Sequence, residues 1–168
     1  MSHVYHKVLD QFTSFAVWKI EESAEELLAQ LQPYLANFPH FISLSHSFDY
    51  AAVMVSKDKA VGIDIELIKD KIERIAHKFM SKRELAFIKK DRIEQLYACW
   101  CAKEAIYKLH GKKNISFLDH IRIEPFDYSG TGSFIASLDT GSQKNHYTVH
   151  YDKFKEYMIG YVADNDQK

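Results

Sequence analysis

Two carboxylates, Asp64 and Glu66, are separated by one residue in the segment 61–66, VGIDIE. β-Branched residues alternate there with glycine and acids, and this pattern predicts a strand, whose side chains point alternately to opposite faces. Asp64 and Glu66 therefore share a face with Gly62, where the missing side chain leaves room for a ligand. Two aligned carboxylates repel each other, and a divalent cation with oxygen ligands relieves this repulsion. For this segment alone, a solvent-facing strand whose acids serve solubility is the alternative.

A third carboxylate lies on a predicted helix. Residues 95–110 contain neither glycine nor proline, and Gly111 follows as the expected stop. Trp100, Glu104 and Lys108 are spaced four apart, so they line one stripe of this helix. An isolated Glu–Lys pair at this spacing stabilises a helix by only ~0.2–0.5 kcal/mol. Because the stripe also contains a tryptophan, we expect it to face protein or ligand and to meet the two strand acids over one cation.

The two segments together resemble the signature motifs of the 4′-phosphopantetheinyl transferase superfamily. Residues 62–66, GIDIE, meet the motif G-[IV]-D-[IV]-E without a substitution. Residues 100–108, WCAKEAIYK, likewise meet W-x-x-K-E-[AS]-x-x-K. Upstream, residues 42–47, ISLSHS, are similar to a third motif, a hydrophobic strand that ends in Ser-His-Ser. The three motifs occur in the order of the family, and the resemblance extends from residue 33 to about residue 162.

This resemblance implies a set of residue roles. Asp64, Glu66 and Glu104 would bind Mg²⁺, and Glu104 would also act as the general base for the attacking hydroxyl. Lys108 would offset the negative charge that builds on the pyrophosphate. Coenzyme A would be held by residues of several segments. These are Pro33, in a loop similar to the Lys-Pro-Tyr loop of the family, Ser45 and His46 at the phosphates, and Lys103 and Lys108 beside them.

The implied activity is transfer of the 4′-phosphopantetheine moiety of coenzyme A to a serine of an apo acyl or peptidyl carrier protein. This is the holo-acyl-carrier-protein synthase type of reaction, and it releases 3′,5′-ADP. One alternative is a catalytically impaired relative that only binds a carrier or another partner protein. Another is a metal-dependent phosphate-ester hydrolase, although such enzymes commonly gather more His and Asp ligands than this sequence offers.

A basic run accompanies the two short helices that are expected before the long one. It is typical either of a solvated face or of a docking surface for an acidic carrier protein. Its members are Lys78, Lys82, Arg83, Lys89, Lys90 and Arg92.

Composition limits the remaining classes of function. The 168 residues are 46% hydrophobic with a net charge of -1, which suits a sizeable core and gives no overall attraction to nucleic acid or membrane. We expect neither a membrane span nor a signal peptide. Cys99 and Cys101 are two apart on the predicted helix and point away from each other, so we expect neither a disulfide nor a metal pair. These features predict a cytoplasmic protein.

The resemblance implies an α+β fold of the 4′-phosphopantetheinyl transferase type, with antiparallel sheets packed on helices and two pseudo-twofold halves. We expect an abbreviated N-terminal half over residues 1–56 and a C-terminal half with the metal site over residues 57–168. Members with two full halves are longer before the Lys-Pro-Tyr loop. The nucleotide end of the cleft is therefore expected to be open, or to be completed by a second chain as in the short trimeric members.

Local patterns predict the individual elements. Strands are expected at 13–20, 41–45, 48–56, 61–66, 121–123, 133–138, 146–151 and 157–162. Helices are expected at 21–31, 72–79 and 95–110, with another that begins at a capping box of Ser81 and Glu84 and runs to about Lys89. The strands at 48–56 and 61–66 are joined by a polar turn, and we expect them to pair as a hairpin.

Overall fold

A computed structural model describes residues 2–20, 26, 40–89, 92–111 and 114–164. Apart from residue 26, the predicted helix at 21–31 lies outside these residues, and so do the loop with Pro33 and Lys90 of the basic run. The strands are β1 (Ser2–Val8), β2 (Thr13–Lys19), β3 (Phe41–Ser47), β4 (Tyr50–Ser56), β5 (Val61–Leu67), β6 (Ile121–Ile123), β7 (Thr131–Asp139), β8 (Lys144–Phe154) and β9 (Tyr157–Ala163). The helical elements are Ile72–Ile75, the 3-10 turn Ala76–Lys78, Lys82–Leu85 and Arg92–His110, which we call the long helix.

The strands form two antiparallel sheets. The first sheet has the strand order β1-β2-β4-β3, and the second has the order β5-β9-β8-β7-β6. The long helix packs against β5 and β9 of the second sheet, and β3 and β4 of the first sheet also contact β5. The predicted α+β class with antiparallel sheets and helices is confirmed. The twofold relation of two halves, and their boundary at residue 56, stay predictions.

Strand β5 is buried on both faces because it lies between the long helix and the first sheet. Ile63 and Ile65 pack with Phe15 and Met54 of the first sheet, as the alternating pattern predicts. On the opposite face, Asp64 is only 4% exposed. Asp64 therefore does not serve solubility, and the solvent-facing alternative is wrong for this residue.

The long helix fills the space beside Gly62. A Cβ atom added to Gly62 would lie 1.9 Å from the carbonyl oxygen of Ala105 on that helix. Gly160 on β9 meets the same helix, since a Cβ there would lie 2.7 Å from the carbonyl carbon of Cys101. The expectation that the bare strand leaves room for a ligand is therefore wrong. The two glycines instead allow the backbone of the helix to approach the sheet closely, which brings Glu104 toward the acids of β5.

The hairpin expected between the fourth and fifth strands does not form. β5 pairs with β9, from Val61 opposite Ala163 to Leu67 opposite Tyr157. β4 pairs with β2 and β3 instead, because the chain crosses from one sheet to the other between β4 and β5. The tight connection lies one step earlier, between β3 and β4, where Phe48 adopts a φ of 48°. Strand β3 accordingly extends through His46 to Ser47.

The helices differ from expectation mainly in length. The capping box is confirmed, since Ser81 Oγ accepts from the Glu84 amide at 3.3 Å and Glu84 Oε2 accepts from the Ser81 amide at 2.7 Å. Its helix nevertheless ends at Leu85, because the following residues form single turns instead of continuing the helical hydrogen bonds. The long helix begins at Arg92, three residues before the predicted start. In the ranges described above, none of the helices has the length and apolar character of a membrane span.

Candidate active site

Asp64 presents one satisfied and one unsatisfied carboxylate oxygen. Its Oδ1 accepts hydrogen bonds from Ser45 Oγ at 2.8 Å and from Lys108 Nζ at 2.8 Å. Its Oδ2 is buried and has no hydrogen-bond partner among the described residues. A buried carboxylate oxygen without a donor is costly, because the lost hydration is not replaced. Oδ2 is thus chemically suited to accept a cation.

Glu66 lies two residues along on the same strand and is only partly buried. Its Oε2 accepts from Ser47 Oγ at 3.1 Å, and its Oε1 accepts from the indole Nε1 of Trp100 at 3.4 Å. Burial raises the pKa of this carboxyl, and the negative charge of Asp64 raises it further. Glu66 therefore belongs to the same electrostatic site as Asp64.

Glu104 enters this site from the long helix. Burial and then the negative charge of Asp64 raise the pKa of its carboxyl to about 7, while Lys108 opposes the shift and Glu66 adds to it. The three carboxylates singled out from the sequence thus influence one another across the strand and the helix. Over the ranges that the structure covers, no three His, Cys, Asp or Glu side chains form a ready-made metal site. What the arrangement offers is a set of crowded oxygen donors.

Lys108 joins the helix to the strand. Its ammonium donates to Asp64 Oδ1 at 2.8 Å and to the backbone oxygen of Ile63 at 3.0 Å. The side chain of Lys108 is 27% exposed, so one side of the ion pair is open to solvent. The lysine therefore neutralises one carboxylate of the site while it remains accessible to a ligand.

Ser45 and His46 point in opposite directions. Successive side chains of β3 alternate between its faces, so Ser45 is buried against β5 whereas His46 is exposed. Ser45 Oγ donates to Asp64 and accepts from the amide of Ile65 at 3.3 Å. The structure does not bring Ser45 and His46 together as a pair for one phosphate, and of the two only His46 is exposed.

Lys103 lies in the core and not in the cleft. Its side chain is 0% exposed, and its ammonium forms an ion pair with Glu84 Oε1 at 2.9 Å. The ammonium also donates to three backbone oxygens at 2.7–3.0 Å, those of Phe79, Phe117 and Ile121. All its donors are therefore used within the protein. The expectation that Lys103 contacts coenzyme A does not agree with this position, which instead ties the long helix to the capping box at Ser81.

We expect Lys103→Met to lower the free energy of unfolding by about 3 kcal/mol, because it leaves the buried Glu84 carboxylate without its cation. Urea denaturation followed by circular dichroism measures this loss. Lys89→Met is the control, since Lys89 is exposed and lies 3.8 Å from Asp127, which is exposed as well; its effect should stay within about 0.5 kcal/mol. Equal effects of the two substitutions would contradict a structural role for Lys103.

Glu104 makes the stability of the metal-free protein depend on pH. Its pKa rises from the ordinary value of 4.5 to about 7, so the folded state holds its proton more tightly than the unfolded state does. Its contribution to stability is complete below about pH 4.5 and is lost as the pH rises through about 7. Urea denaturation between about pH 4.5 and pH 7 should therefore show a decline in the free energy of unfolding, and this decline should be smaller in Glu104→Gln. A decline of the same size in both proteins would refute the assignment to Glu104.

Four members of the basic run whose side chains the structure describes, Lys78, Lys82, Arg83 and Lys89, are exposed, and two of them lie near acidic residues. Arg83 lies 3.6 Å from Glu124, and Lys89 lies 3.8 Å from Asp127, with all four side chains more than half exposed. Exposed pairs of this kind contribute little to stability. They make the face mixed in charge, which favours the solvated face over a uniformly positive docking surface.

Comparison with known proteins identifies the family. A sequence model described as the 4′-phosphopantetheinyl transferase superfamily matches residues 60–162. This chain belongs to that superfamily. The match includes all of β5 and all but the last residue of β9, so it contains the three carboxylates, Lys108 and both glycines under the long helix. The residues that the packing of the long helix on β5 brings together are thus all within the segment that the superfamily model matches.

Individual relatives agree with this assignment. A Haemophilus influenzae protein provisionally named a 4′-phosphopantetheinyl transferase is 30% identical over 110 residues, which are 58% of this chain and 47% of that protein. The 4′-phosphopantetheinyl transferase AcpT of Salmonella typhimurium is 37% identical over 84 residues, 46% of this chain and 44% of AcpT. AcpT of Salmonella typhi is 36% identical over the same shares. The match thus spans less than half the length of each relative.

Two sets of contacts that support the site are not evident from the sequence. One is the ion pair of Lys103 with Glu84, which joins two segments that are unrelated by local spacing. The other is the use of the alternate serines of β3 against β5, although Ser43, Ser45 and Ser47 do follow the period of a strand. That period could have revealed a common serine face, but not what it contacts.

Proposed function

We propose that this protein transfers the 4′-phosphopantetheinyl group of coenzyme A to a serine of an apo carrier protein, of the acyl or peptidyl kind. The observation that supports this most strongly is the close packing of the long helix on β5. It sets Glu104 and Lys108 beside Asp64 and Glu66, within the segment matched by the superfamily. Membership of the superfamily supports the reaction type, and the geometry supports the assignment of these residues to it.

The site fits a magnesium ion by its donor chemistry. Its candidate ligands, Asp64, Glu66 and Glu104, all offer carboxylate oxygens, which Mg²⁺ prefers. Asp64 Oδ2 is buried without a donor, and burial, together with the negative charge of Asp64, raises the pKa of Glu66 and of Glu104. A bound cation would relieve both costs. When bound, magnesium would neutralise charge on the pyrophosphate of coenzyme A.

The protein side chains supply the remaining requirements of the transfer. The carrier serine forms a new bond to the β-phosphorus of coenzyme A, and the bond from that phosphorus to the bridging oxygen breaks, so that 3′,5′-ADP leaves. Glu104 accepts the serine proton, which is the role of a general base in such a transfer. Lys108 and His46 donate to phosphate oxygens, which is a role for exposed cationic or polar donors. Pro33 would lie against the nucleotide.

The other expectations stay part of this proposal. A cytoplasmic location suits a reaction with coenzyme A and carrier proteins. The abbreviated N-terminal half over residues 1–56 leaves the nucleotide end of the cleft either open or completed by a second chain.

The reaction is tested by incubating the purified full chain with Mg²⁺, coenzyme A and a panel of apo carrier proteins, and then measuring intact carrier masses. We expect one carrier to gain the mass of a phosphopantetheinyl group, and a carrier with its acceptor serine changed to alanine to gain none. No gain on any carrier would overturn the proposal in favour of a binding protein. Breakdown of coenzyme A without a carrier would instead indicate a hydrolase.

A further inference from the structure

Strand β5 is an edge strand whose free side is closed by serine side chains. It is the outermost strand of the second sheet, so β9 satisfies only one of its two edges. The backbone amides on the other edge donate to hydroxyls of β3, at 3.0, 3.3 and 3.1 Å. The donor and acceptor pairs are Ile63 with Ser43, Ile65 with Ser45 and Leu67 with Ser47. Three hydroxyls thus take the place of the carbonyls that a neighbouring strand would provide.

Two of these hydroxyls also donate to the acids of the site. Ser45 Oγ donates to Asp64 Oδ1 at 2.8 Å, and Ser47 Oγ donates to Glu66 Oε2 at 3.1 Å. A hydroxyl has one hydrogen to give and two lone pairs that accept. Each serine therefore links the backbone of β5 to the carboxylate of the preceding residue, and its single hydrogen is committed to that carboxylate.

Ser43 repeats the geometry without the carboxylate. It accepts from the amide of Ile63 in the same way, but the residue before Ile63 is Gly62, which has no side chain to receive a hydrogen bond. The same row of serines thus contains two members beside an acid and one beside a glycine. Comparing Ser43 with Ser45 and Ser47 therefore distinguishes a role in joining the two sheets from a role in orienting the carboxylates.

We infer that Ser45 and Ser47 are positioning residues that hold Asp64 and Glu66 in a metal-binding orientation, whereas Ser43 only joins the two sheets. This inference rests on the proposed function for its metal, but not for its geometry. With Ser45 and Lys108 both on Oδ1, the carboxylate of Asp64 is fixed so that Oδ2 stays unpartnered. It also gives Ser45 a role that differs from contact with a phosphate of coenzyme A.

The expected loss of Mg²⁺ affinity can be estimated from other groups that orient metal ligands by a hydrogen bond. Removing such a hydrogen bond typically weakens metal binding by about 10- to 100-fold. We expect about 10-fold weaker Mg²⁺ binding in Ser45→Ala, because Lys108 still restrains Asp64 through Oδ1. A similar loss is expected in Ser47→Ala, since Trp100 remains on the other oxygen of Glu66. Ser43→Ala should bind Mg²⁺ as the unaltered protein does.

Two measurements on the full chain test this inference. Isothermal titration calorimetry with MgCl₂, without coenzyme A, measures the Mg²⁺ affinity of the three alanine variants. It also measures the affinity of Ser45→Thr, which keeps the hydroxyl and should bind Mg²⁺ as the unaltered protein does. The midpoint temperature of thermal unfolding should fall in both Ser43→Ala and Ser45→Ala, because each loses one acceptor for a buried amide, and it should fall further in Ser45→Ala, which also loses the donor to Asp64. An equal loss of Mg²⁺ affinity in both variants, or an undiminished affinity in Ser45→Ala, would overturn the inference.

Crystal structures of the metal-free variants decide the point independently of metal binding and of catalysis. In Ser45→Ala we expect the Asp64 carboxylate to take other orientations, while in Ser43→Ala it should keep its position on Lys108. An Asp64 carboxylate that stays in place in Ser45→Ala would refute the positioning role even if the protein proves to be an active transferase. Conversely, loss of orientation in a protein that transfers nothing would reject only the proposed function.

Discussion

Gly62→Ala is expected to lower the free energy of unfolding by at least ~4 kcal/mol, which is exceptional for the addition of one methyl group. The added Cβ would lie 1.9 Å from the carbonyl oxygen of Ala105 and 2.8 Å from its carbonyl carbon. Both atoms belong to helix backbone, so the contact is relieved only if the long helix moves away from β5. Urea denaturation measures the loss of stability. Transfer activity should disappear as well, because Glu104 and Lys108 belong to that helix.

Gly132→Ala is the control for this substitution. A Cβ on Gly132 would lie 2.9 Å from the hydroxyl of Tyr151, which is the far end of a side chain and not backbone. It should therefore cost no more than about 1–3 kcal/mol, as is usual for overpacking. A Gly62→Ala protein as stable as the Gly132→Ala protein would show that the helix does not depend on this close approach.

Glu104→Gln should reduce transfer by about 10³-fold, within the range of a lost general base, and should leave the fold intact. Glutamine keeps the shape of the side chain but neither accepts the serine proton nor contributes a charge to a cation. At a pH above about 7 the metal-free variant should be at least as stable as the unaltered protein, because burial and Asp64 disfavour the charged form of Glu104. Rates of carrier modification and thermal unfolding at one pH measure the two effects.

Glu94→Gln provides the matched control, since it removes the same charge from the same helix. Glu94 accepts from Lys153 and Tyr128, and it lies ten residues, or about 15 Å, from Glu104 along the helix axis. Its substitution should leave the transfer rate nearly unchanged. Retained activity in Glu104→Gln, or equal losses in both variants, would require another residue as the base.

The parts of the site that could be predicted from the sequence are those set by local periodicity. The period of two in residues 61–66 correctly placed Ile63 and Ile65 in the core. The absence of glycine and proline over residues 95–110 correctly predicted a helix there. Side chains that share a strand or helix face are determined by backbone geometry alone, so such inferences do not need the rest of the fold.

Features that depend on partners distant in the chain could not be predicted. β5 pairs with β9, which begins ninety residues later, and nothing in the strand itself distinguishes this partner from the neighbouring β4. Strand β1 was missed because it is an edge strand whose sequence mixes polar and apolar residues. Lys103 was misassigned for a related reason. The position of Lys103 in the helical repeat reveals which face it lies on, but not that Glu84 packs against that face as a buried counter-ion.

The space beside Gly62 shows the same limit most clearly. A bare position on an acidic strand is compatible with a ligand and with a closely packed helix, and the local pattern is identical for both. Only the placement of Ala105 at the missing Cβ decides between them. The outcome strengthens the functional interpretation, since the helix that occupies this space also supplies the third carboxylate.

Anomalous diffraction from a crystal of the full chain with Mn²⁺ and coenzyme A tests the central claim most directly. Mn²⁺ replaces Mg²⁺ at carboxylate sites and gives a signal that locates it without ambiguity. We expect one peak within coordination distance of the carboxylates of Asp64, Glu66 and Glu104, adjacent to the pyrophosphate. A peak elsewhere, or one that Glu104 does not reach, would contradict that claim.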